Sequence, residues 1–298
     1  MISLAALAEL AQAHSVDLAR PVGPLLIGDQ QFDVDRQPFI MGTLNLSRDS
    51  TYRESVAVSA ESALRKARVM AAEGAGLIDI GAESSTARAS RVDAAGQIAS
   101  LIPVIERVRA EGIPVSVETY EPDVVAAALE AGAQVLNMTG VEHEDRMLAL
   151  AAEHQATVIM CYSAGSNVRE ITDVTVDADP LPGLLEHFSV RIDHARSLGV
   201  ERIVIDPGMG FYYGNLTEPI VRARHQARVI LSSFRLRALG VPICNALPHA
   251  FDLFEENFRT AEGFYAVLAM LGGTSILRTH EVAQVRAVVG AMTALDVR

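Results

Sequence analysis

Short apolar runs rich in β-branched residues alternate along this chain with longer stretches whose apolar residues recur every three or four positions. The short runs have the length and composition of strands. The predicted strands span residues 39–45, 77–83, 114–119, 134–138, 157–161, 202–206, 241–245 and 275–280. The stretches between them, such as 59–74 and 122–132, are Ala-rich, carry charged residues and end at Gly. This pattern predicts helices with left-handed glycine caps.

Strict alternation of strand and helix, repeated eight times, is the signature of a closed parallel barrel. We therefore predict an α/β protein with the (β/α)8 TIM barrel fold, formed by residues 37–298 as a single domain. Residues 1–36 are predicted to form an extension, with a short amphipathic helix followed by a small hairpin over 20–36 that closes the bottom of the barrel.

The composition narrows the classes of partner. Half of the residues are hydrophobic, and 25 basic against 37 acidic residues give a formal net charge of −12. A chain this acidic has no general attraction for nucleic acid or for an anionic membrane, so neither is expected as a partner. The N-terminal stretch carries Glu9 and lacks a basic start, so it is not expected to be a signal peptide. No run approaches the roughly 18 apolar residues of a membrane span.

The cysteines point to a reducing compartment. The sequence has two of them, Cys161 and Cys244, and they form no Cys-x-x-Cys pattern. This spacing argues against a disulfide scaffold and against a structural zinc site, and it favours a cytoplasmic location. Cys161 alternates with Met160 on a predicted strand, and we expect its side chain to face the helices as part of the core.

Alternate residues of a barrel strand face the interior and the surrounding helices. In the third strand, Val115 and Val117 share one face, whereas Ser116 and Glu118 share the other. The same phase turns polar residues inward at the carboxyl ends of the strands. These residues are Asn45, Asp79, Glu118, Asn137, Asp206, Arg278 and His280. Barrel enzymes carry their active sites at this end, although Asp79 alone could equally be a core carboxylate satisfied by its neighbours.

The first strand runs directly into a polar segment, in which Ser47, Arg48, Asp49 and Ser50 follow Asn45. Two interpretations fit this segment by itself. It could be a helix cap or a solvated turn, because these residue types favour both. It could also form the rim of an active site.

Six motifs in strand order together resemble the dihydropteroate synthase family of the pterin-binding barrel superfamily. They lie at residues 41–50, 77–90, 115–120, 135–140, 205–211 and 276–286. The resemblance extends from about residue 38 to residue 293. It implies the same eight-stranded barrel and a transferase that joins 6-hydroxymethyl-7,8-dihydropterin pyrophosphate to p-aminobenzoate, with release of pyrophosphate. It also implies a homodimer.

The resemblance also assigns roles to individual residues. The pterin pocket would be lined by Glu118, Asn137, Met160, Asp206 and His249. Its 2-amino-pyrimidinone edge presents N–H groups that a carboxylate such as Asp206 can accept, while an amide such as Asn137 suits a mixed edge.

The resemblance places the pyrophosphate on Asn45, Arg278 and His280, with Asn45 as a ligand of Mg²⁺, a hard ion that prefers oxygen. It also implies that Asn45, Asp49 and Ser50 are the catalytic residues. Asp49 and Ser50 would lie on a loop that closes over the pterin. Thr86 and Arg88 would serve as the second-substrate loop. Together, the pyrophosphate site, the catalytic residues and the second-substrate loop comprise Asn45, Asp49, Ser50, Thr86, Arg88, Arg278 and His280.

The chain departs from the family where the second substrate binds. The family carries Ser-Arg-Lys after the seventh strand, whereas this chain has Pro248, His249 and Ala250. His249 could contact the pterin ring or be an exposed loop histidine. The amine is therefore p-aminobenzoate or a different arylamine. Two alternatives stay open: a pterin- or folate-dependent methyltransferase, and a catalytically silent paralogue that binds a pterin.

Overall fold

The computed structural model describes residues 2–47, 56–57, 59–83, 91–163, 165–167, 173, 179–210 and 215–295. Ten strands lie within these ranges: β1 Leu25–Ile27, β2 Gln30–Phe32, β3 Phe39–Asn45, β4 Leu77–Gly81, β5 Val115–Glu118, β6 Val135–Met138, β7 Thr157–Cys161, β8 Ile203–Asp206, β9 Cys244–Ala246 and β10 Ile276–Thr279. The last eight form one parallel sheet in the order β8-β7-β6-β5-β4-β3-β10-β9. A parallel bridge between Ile205 and Ile243 joins the two edge strands. The predicted (β/α)8 barrel is confirmed.

The helices of the described ranges follow the strands in the predicted alternation. They are α1 Leu4–Ala13, α2 Ser15–Leu18, α3 Ala60–Glu73, α4 Ala94–Ala110, α5 Pro122–Glu130, α6 Glu144–Glu153, α7 Leu181–Ser197, α8 Pro219–Ser232, α9 Phe251–Phe254, α10 Ala261–Leu271 and α11 Val282–Ala294. Helix α3 shows why these segments begin and end where they do. Ser59 and Ser62 form a reciprocal capping box at its start, and Gly74 ends it with φ 111°.

The seventh barrel strand begins later than predicted. The apolar run suggested residues 241–245, but the strand spans Cys244–Ala246. Pro242 has no N–H to donate to a strand ladder. Its carbonyl oxygen accepts a hydrogen bond from the Ile205 amide at 3.1 Å. The chain therefore touches the neighbouring strand at this point before regular pairing begins.

The barrel has two apolar layers, which meet different partners. Side chains such as Ile78 and Ile80 pack outward against the helices. The inner layer fills the lower barrel with Met41, Val135, Ile159, Val204 and Ile276. Leu25 and Ile27, from the hairpin of β1 and β2, are buried within that inner layer. The hairpin therefore seals the amino-terminal end, and the polar interior lies at the carboxyl ends of the strands.

The orientation of β7 corrects two predictions. Cys161 belongs to the inner layer, whereas Met160 is fully buried in the outer layer against the helices. The strand register explains this phase, because Cys161 pairs with inward-facing Asp206, and Asn137 pairs with Ile159. Residues paired across parallel strands point to the same face. The prediction that Met160 lines the pterin pocket is therefore wrong, as is the prediction that Cys161 faces the helices.

Candidate active site

Four strands bring their last inward-facing residues to one level at the mouth of the barrel. The register pairs Asn45 with Gly81, Gly81 with Glu118, and Glu118 with Asn137. Gly81 has no side chain, and a Cβ placed there would lie 3.6 Å from the Glu118 Cβ. At this level, β4 thus places no side chain between the Asn45 amide and the Glu118 carboxylate.

Asp79 is the hub of the polar interior. Its carboxylate is fully buried. Oδ1 accepts from the Ser116 hydroxyl at 2.7 Å, and Oδ2 accepts from Asn137 Nδ2 at 3.0 Å and from Arg278 Nε at 2.8 Å. Three donors from three other strands therefore satisfy this charge. Of the two roles open for Asp79, the structure supports a core carboxylate that positions its neighbours.

Arg278 links this hub to the mouth of the barrel. Its Nη2 donates to Glu118 Oε2, and Nη2 also lies 2.8 Å from Asp79 Oδ2. Burial alone would lower the pKa of Arg278, but the charges of Glu118 and Asp79 raise it above its usual range. The guanidinium is therefore a permanent cation held between two carboxylates.

The two remaining acids of the pocket hold their protons more tightly than in water. Burial raises the pKa of Glu118 to about 7, against the opposing charge of Arg278, and the charges of Asp79 and Asp206 add to the rise. Burial also raises the pKa of Asp206 to about 6, although the Gly208 amide donates to its Oδ1 at 2.8 Å. Among the described residues, three carboxylates face one arginine in this pocket, so it favours ligands that are rich in hydrogen-bond donors.

Two thiols flank Asp206 and were missed as site residues. The Cys161 Sγ lies 3.4 Å from Asn137 Oδ1, which fixes the orientation of that amide because its nitrogen bonds to Asp79. Burial raises the pKa of both Cys161 and Cys244, and the negative charge of Asp206 adds to the rise. Both side chains are therefore neutral thiols that act as walls of the pocket.

A second cluster joins the loop after β9 to the end of β10. The Glu262 carboxylate, from α10, is fully buried. Its Oε1 lies 2.9 Å from His280 Nδ1 and 3.2 Å from His249 Nε2, and the two ring nitrogens lie 3.1 Å apart. Hydrogen bonds from these histidines lower the pKa of Glu262 and outweigh the effect of burial. His249 is 22% exposed, so it is not a plain surface histidine.

Glu262 was missed by sequence reasoning. One signal could have found it, since it is an acid buried within the mostly apolar run of α10, Ala261–Leu271. A buried carboxylate needs partners, and the chain offers two histidines nearby in space. Their approach depends on how α10 packs behind β10, which no local pattern encodes.

Four predicted site residues lie outside the described part of the chain, namely Asp49, Ser50, Thr86 and Arg88. The Asn45 carbonyl accepts from the Ala57 amide at 2.8 Å, so Ala57 lies against the end of β3. Asn45, Glu118, Asn137, Asp206, Arg278 and His280 all lie at the carboxyl end of the barrel, or directly after it.

Comparison with known proteins defines the class to which this barrel belongs. The sequence profile of the family described as pterin binding enzyme matches residues 41–280. The fold, and a pocket rich in hydrogen-bond acceptors, are thus those of a pterin-binding enzyme. A dihydropteroate synthase of Synechocystis is 31% identical over 271 residues, covering 87% of this chain and 90% of that protein. The chain belongs to the dihydropteroate synthase family.

Solved structures agree with this assignment. Dihydropteroate synthase from Thermus thermophilus in complex with 4-aminobenzoate has a TM-score of 0.75 and 28% identity, over 92% of this chain and all of that one. The same enzyme in complex with 6HMPPP has a TM-score of 0.74 and 27% identity, over 92% and 99% of the two chains. This chain is therefore a dihydropteroate synthase-like transferase. Among the described helices, none is both long and apolar enough to cross a membrane.

Replacing Asp79 by Ala is expected to lower the free energy of unfolding by about 3–5 kcal/mol, because it removes one partner of a buried charge and strands the donors around it. Urea denaturation measures this loss. Asp123→Ala is the matched control, since it breaks an ion pair with Arg146 whose side chains are 66% and 64% exposed. The control should lose less than about 1 kcal/mol. Equal losses in the two variants would contradict the role of Asp79 as a hub.

Glu118→Gln is expected to flatten the pH dependence of stability. The folded pKa of Glu118, about 7, lies above its ordinary value of 4.5, so the folded state binds this proton more tightly. Its contribution is therefore fully present below pH 4.5 and is lost as the pH rises to about 7. Relative to wild type, the variant should gain roughly 1–3 kcal/mol between pH 5 and pH 8.

Unfolding titrations in urea at intervals of one pH unit would show this gain. The exposed Glu153 gives the control substitution Glu153→Gln, which should follow the wild-type curve at every pH. If the Glu118→Gln and wild-type curves stayed parallel from pH 5 to pH 8, the raised pKa of Glu118 would be refuted.

Proposed function

We propose that this protein condenses 6-hydroxymethyl-7,8-dihydropterin pyrophosphate with an arylamine and releases pyrophosphate. One observation carries the proposal: the buried Asp206 carboxylate and the Asn137 amide share the barrel mouth with the cationic Arg278. A heterocycle rich in hydrogen-bond donors needs acceptors such as Asp206 and Asn137, and an anionic leaving group needs a cation such as Arg278 beside them.

Asp206 is suited to the pterin edge by its charge and its setting. The 2-amino group and the ring N–H are two parallel donors, which a carboxylate can accept together. Asp206 is only 2% exposed, so little water competes for its oxygens. Because its pKa is about 6, most of it is ionised at neutral pH and ready to accept.

The diphosphate end requires positive charge and N–H donors. We propose that Arg278 and His280 supply them, since they end the last barrel strand beside the pterin pocket. Their donors stabilise the negative charge that grows on the departing oxygen. The C–O bond to pyrophosphate breaks, the amine nitrogen forms the new C–N bond, and the amine then loses a proton. Asp49 and Ser50 are proposed to close over this reaction.

Asn45 is the proposed protein ligand for Mg²⁺. Its amide oxygen is a hard donor, and its strand neighbour Gly81 places no side chain beside it. A single neutral oxygen is a small share of the roughly six ligands that Mg²⁺ takes, and the others are usually phosphate oxygens and waters. The residues thus fit an ion that binds together with the diphosphate. Such an ion neutralises charge on the leaving group.

The second substrate is proposed to be p-aminobenzoate or a related arylamine. The Thermus thermophilus relative binds 4-aminobenzoate, which supports this class of amine. Thr86 and Arg88 are proposed to contact it. His249 stands in place of the Ser-Arg-Lys segment that the resemblance leads one to expect, and it is tied to Glu262 and His280. This altered corner supports an amine preference that differs from that of the family.

We also propose a homodimer in a reducing, cytoplasmic setting. Exposed apolar side chains on the neighbouring helices α8 and α10, Ile220, Val221 and Phe264, support a contact with a second copy. The free, buried thiols of Cys161 and Cys244 support the reducing setting. Sedimentation at micromolar concentration would show a dimer, and a species with the mass of one chain would contradict it.

Asp206→Asn is expected to weaken binding of the pterin pyrophosphate about 100-fold, because hydrogen bonds to a charged acceptor contribute about 1.5–3 kcal/mol each. Calorimetry measures the affinity, and Asp145→Asn, at an exposed surface carboxylate, is the control. Wild-type affinity should fall about tenfold per pH unit below pH 6, since protonated Asp206 loses its charge. Unchanged affinity in Asp206→Asn would overturn the assignment.

Pyrophosphate release from the pterin substrate, with and without amines, distinguishes the remaining functions. Release that depends on p-aminobenzoate supports the ordinary synthase reaction, and release only with another arylamine supports a changed amine preference. Tight pterin binding without release under any condition would reject the transferase reaction in favour of a silent binding protein.

A further inference from the structure

We propose that His249, Glu262 and His280 form a binding site for a divalent transition-metal ion such as Zn²⁺. These residues lie beside the barrel mouth and bring together two imidazoles and one carboxylate. The site is separate from the oxygen ligand that Asn45 offers at the end of β3, since none of its three residues belongs to that strand. His249 comes from the altered loop after β9, Glu262 from α10, and His280 directly follows β10.

The three candidate ligand atoms form a nearly equilateral triangle. His280 Nδ1 and Glu262 Oε1 are 2.9 Å apart, His249 Nε2 and His280 Nδ1 are 3.1 Å apart, and His249 Nε2 and Glu262 Oε1 are 3.2 Å apart. Zinc holds nitrogen and oxygen ligands at about 2.0–2.2 Å, and the tetrahedral angle then separates neighbouring ligand atoms by about 3.3–3.6 Å. The edges of the triangle are a few tenths of an ångström shorter, so small movements of the side chains would give it the size of one face of a zinc coordination sphere.

Protons alone do not satisfy all three contacts. A carboxylate oxygen only accepts, so each histidine nitrogen that faces Glu262 Oε1 must donate its proton to it. Each nitrogen carries at most one proton, and the contact between His249 and His280 would then set two donors against each other. A cation seated just above the plane of the triangle attracts the lone pairs of all three atoms at once.

The surroundings of Glu262 resemble the support that metal-ligating carboxylates usually receive. Its Oε2 accepts from the Thr279 hydroxyl and from the backbone amides of His280 at 2.9 Å and Glu281 at 3.1 Å. These donors occupy Oε2 and leave Oε1 facing the two histidines. Phe251 stacks on the His249 ring, with the centroids 5.3 Å apart, and so restricts its orientation.

The donor set selects the class of ion. Two imidazoles and a carboxylate suit Zn²⁺ or Co²⁺, whereas Mg²⁺ prefers oxygen ligands alone. Three protein ligands leave at least one coordination position open. The His249 and His280 side chains are 22% and 13% exposed, so that position is reachable from solvent. If the proposed function holds, a diphosphate oxygen would take this position, because His280 belongs to the proposed pyrophosphate site.

The test is metal binding to the full chain after dialysis against a chelator, without any pterin. Calorimetry with Zn²⁺ and the absorption spectrum with Co²⁺ should show one ion per chain. His249→Ala and Glu262→Gln should each weaken Zn²⁺ binding at least 100-fold. His194→Ala is the matched control, because His194 also contacts a carboxylate, Asp145 at 2.7 Å, but on the exposed surface. Its affinity for Zn²⁺ should equal that of wild type.

No stoichiometric binding, or equal affinity in His249→Ala and His194→Ala, would overturn the site. His249 lies in a partly exposed loop, so His249→Ala tests the site even if Glu262→Gln fails to fold. Circular dichroism checks that His249→Ala is folded. Zn²⁺ should also tighten binding of inorganic pyrophosphate at least tenfold in wild type but not in His249→Ala. Zinc binding without this effect would keep the site and overturn only its link to the diphosphate.

Discussion

The buried pairing of Arg278 with Asp79 and Glu118 is the constraint on which the rest of the site depends. Removing charges from water costs several kcal/mol for each ion unless partners replace the lost hydration. The partners here come from different strands, and Ser116 and Asn137 complete the set. The pairing therefore fixes how β4, β5, β6 and β10 present their side chains, and Arg278 reaches past β3 to do so. It acts as a polar floor for the pocket above it.

Among the described residues of the pocket, Asp79, Glu118 and Asp206 supply more acid than Arg278 alone neutralises. Burial raises the pKa of both Glu118 and Asp206, and the charges of Asp79 and Asp206 add to the rise at Glu118. Such an arrangement opposes folding at neutral pH, and proteins keep costs of this kind where function requires them. A ligand that presents several N–H groups would relieve the excess of acceptors. The pterin edge presents such groups, which links the cost of burying these acids to the specificity of the pocket.

The second corner of the mouth follows a different chemistry. His249 takes the place of a segment in which the resemblance leads one to expect a lysine, and it joins Glu262 and His280. In the proposed site, a metal ion would restore positive charge near the departing diphosphate. The two corners meet at the end of the last barrel strand, since Arg278 lies in β10 and His280 directly follows it. One strand end would thus serve both the pterin side and the phosphate side.

The sequence by itself determined the eight-fold alternation and the inward phase of Asp79, Glu118, Asn137 and Asp206, because helix and strand periods are local and polar residues mark the phase. It did not determine which residues of β7 face the barrel interior. All five residues from Thr157 to Cys161 are buried, so the strand has no alternation of apolar and polar residues to mark its two faces. Register with β6 and β8 decided that Cys161, and not Met160, faces the pocket. Only tertiary packing brought Glu262 to the two histidines, because such a contact depends on how a helix lies against the barrel rather than on any local pattern.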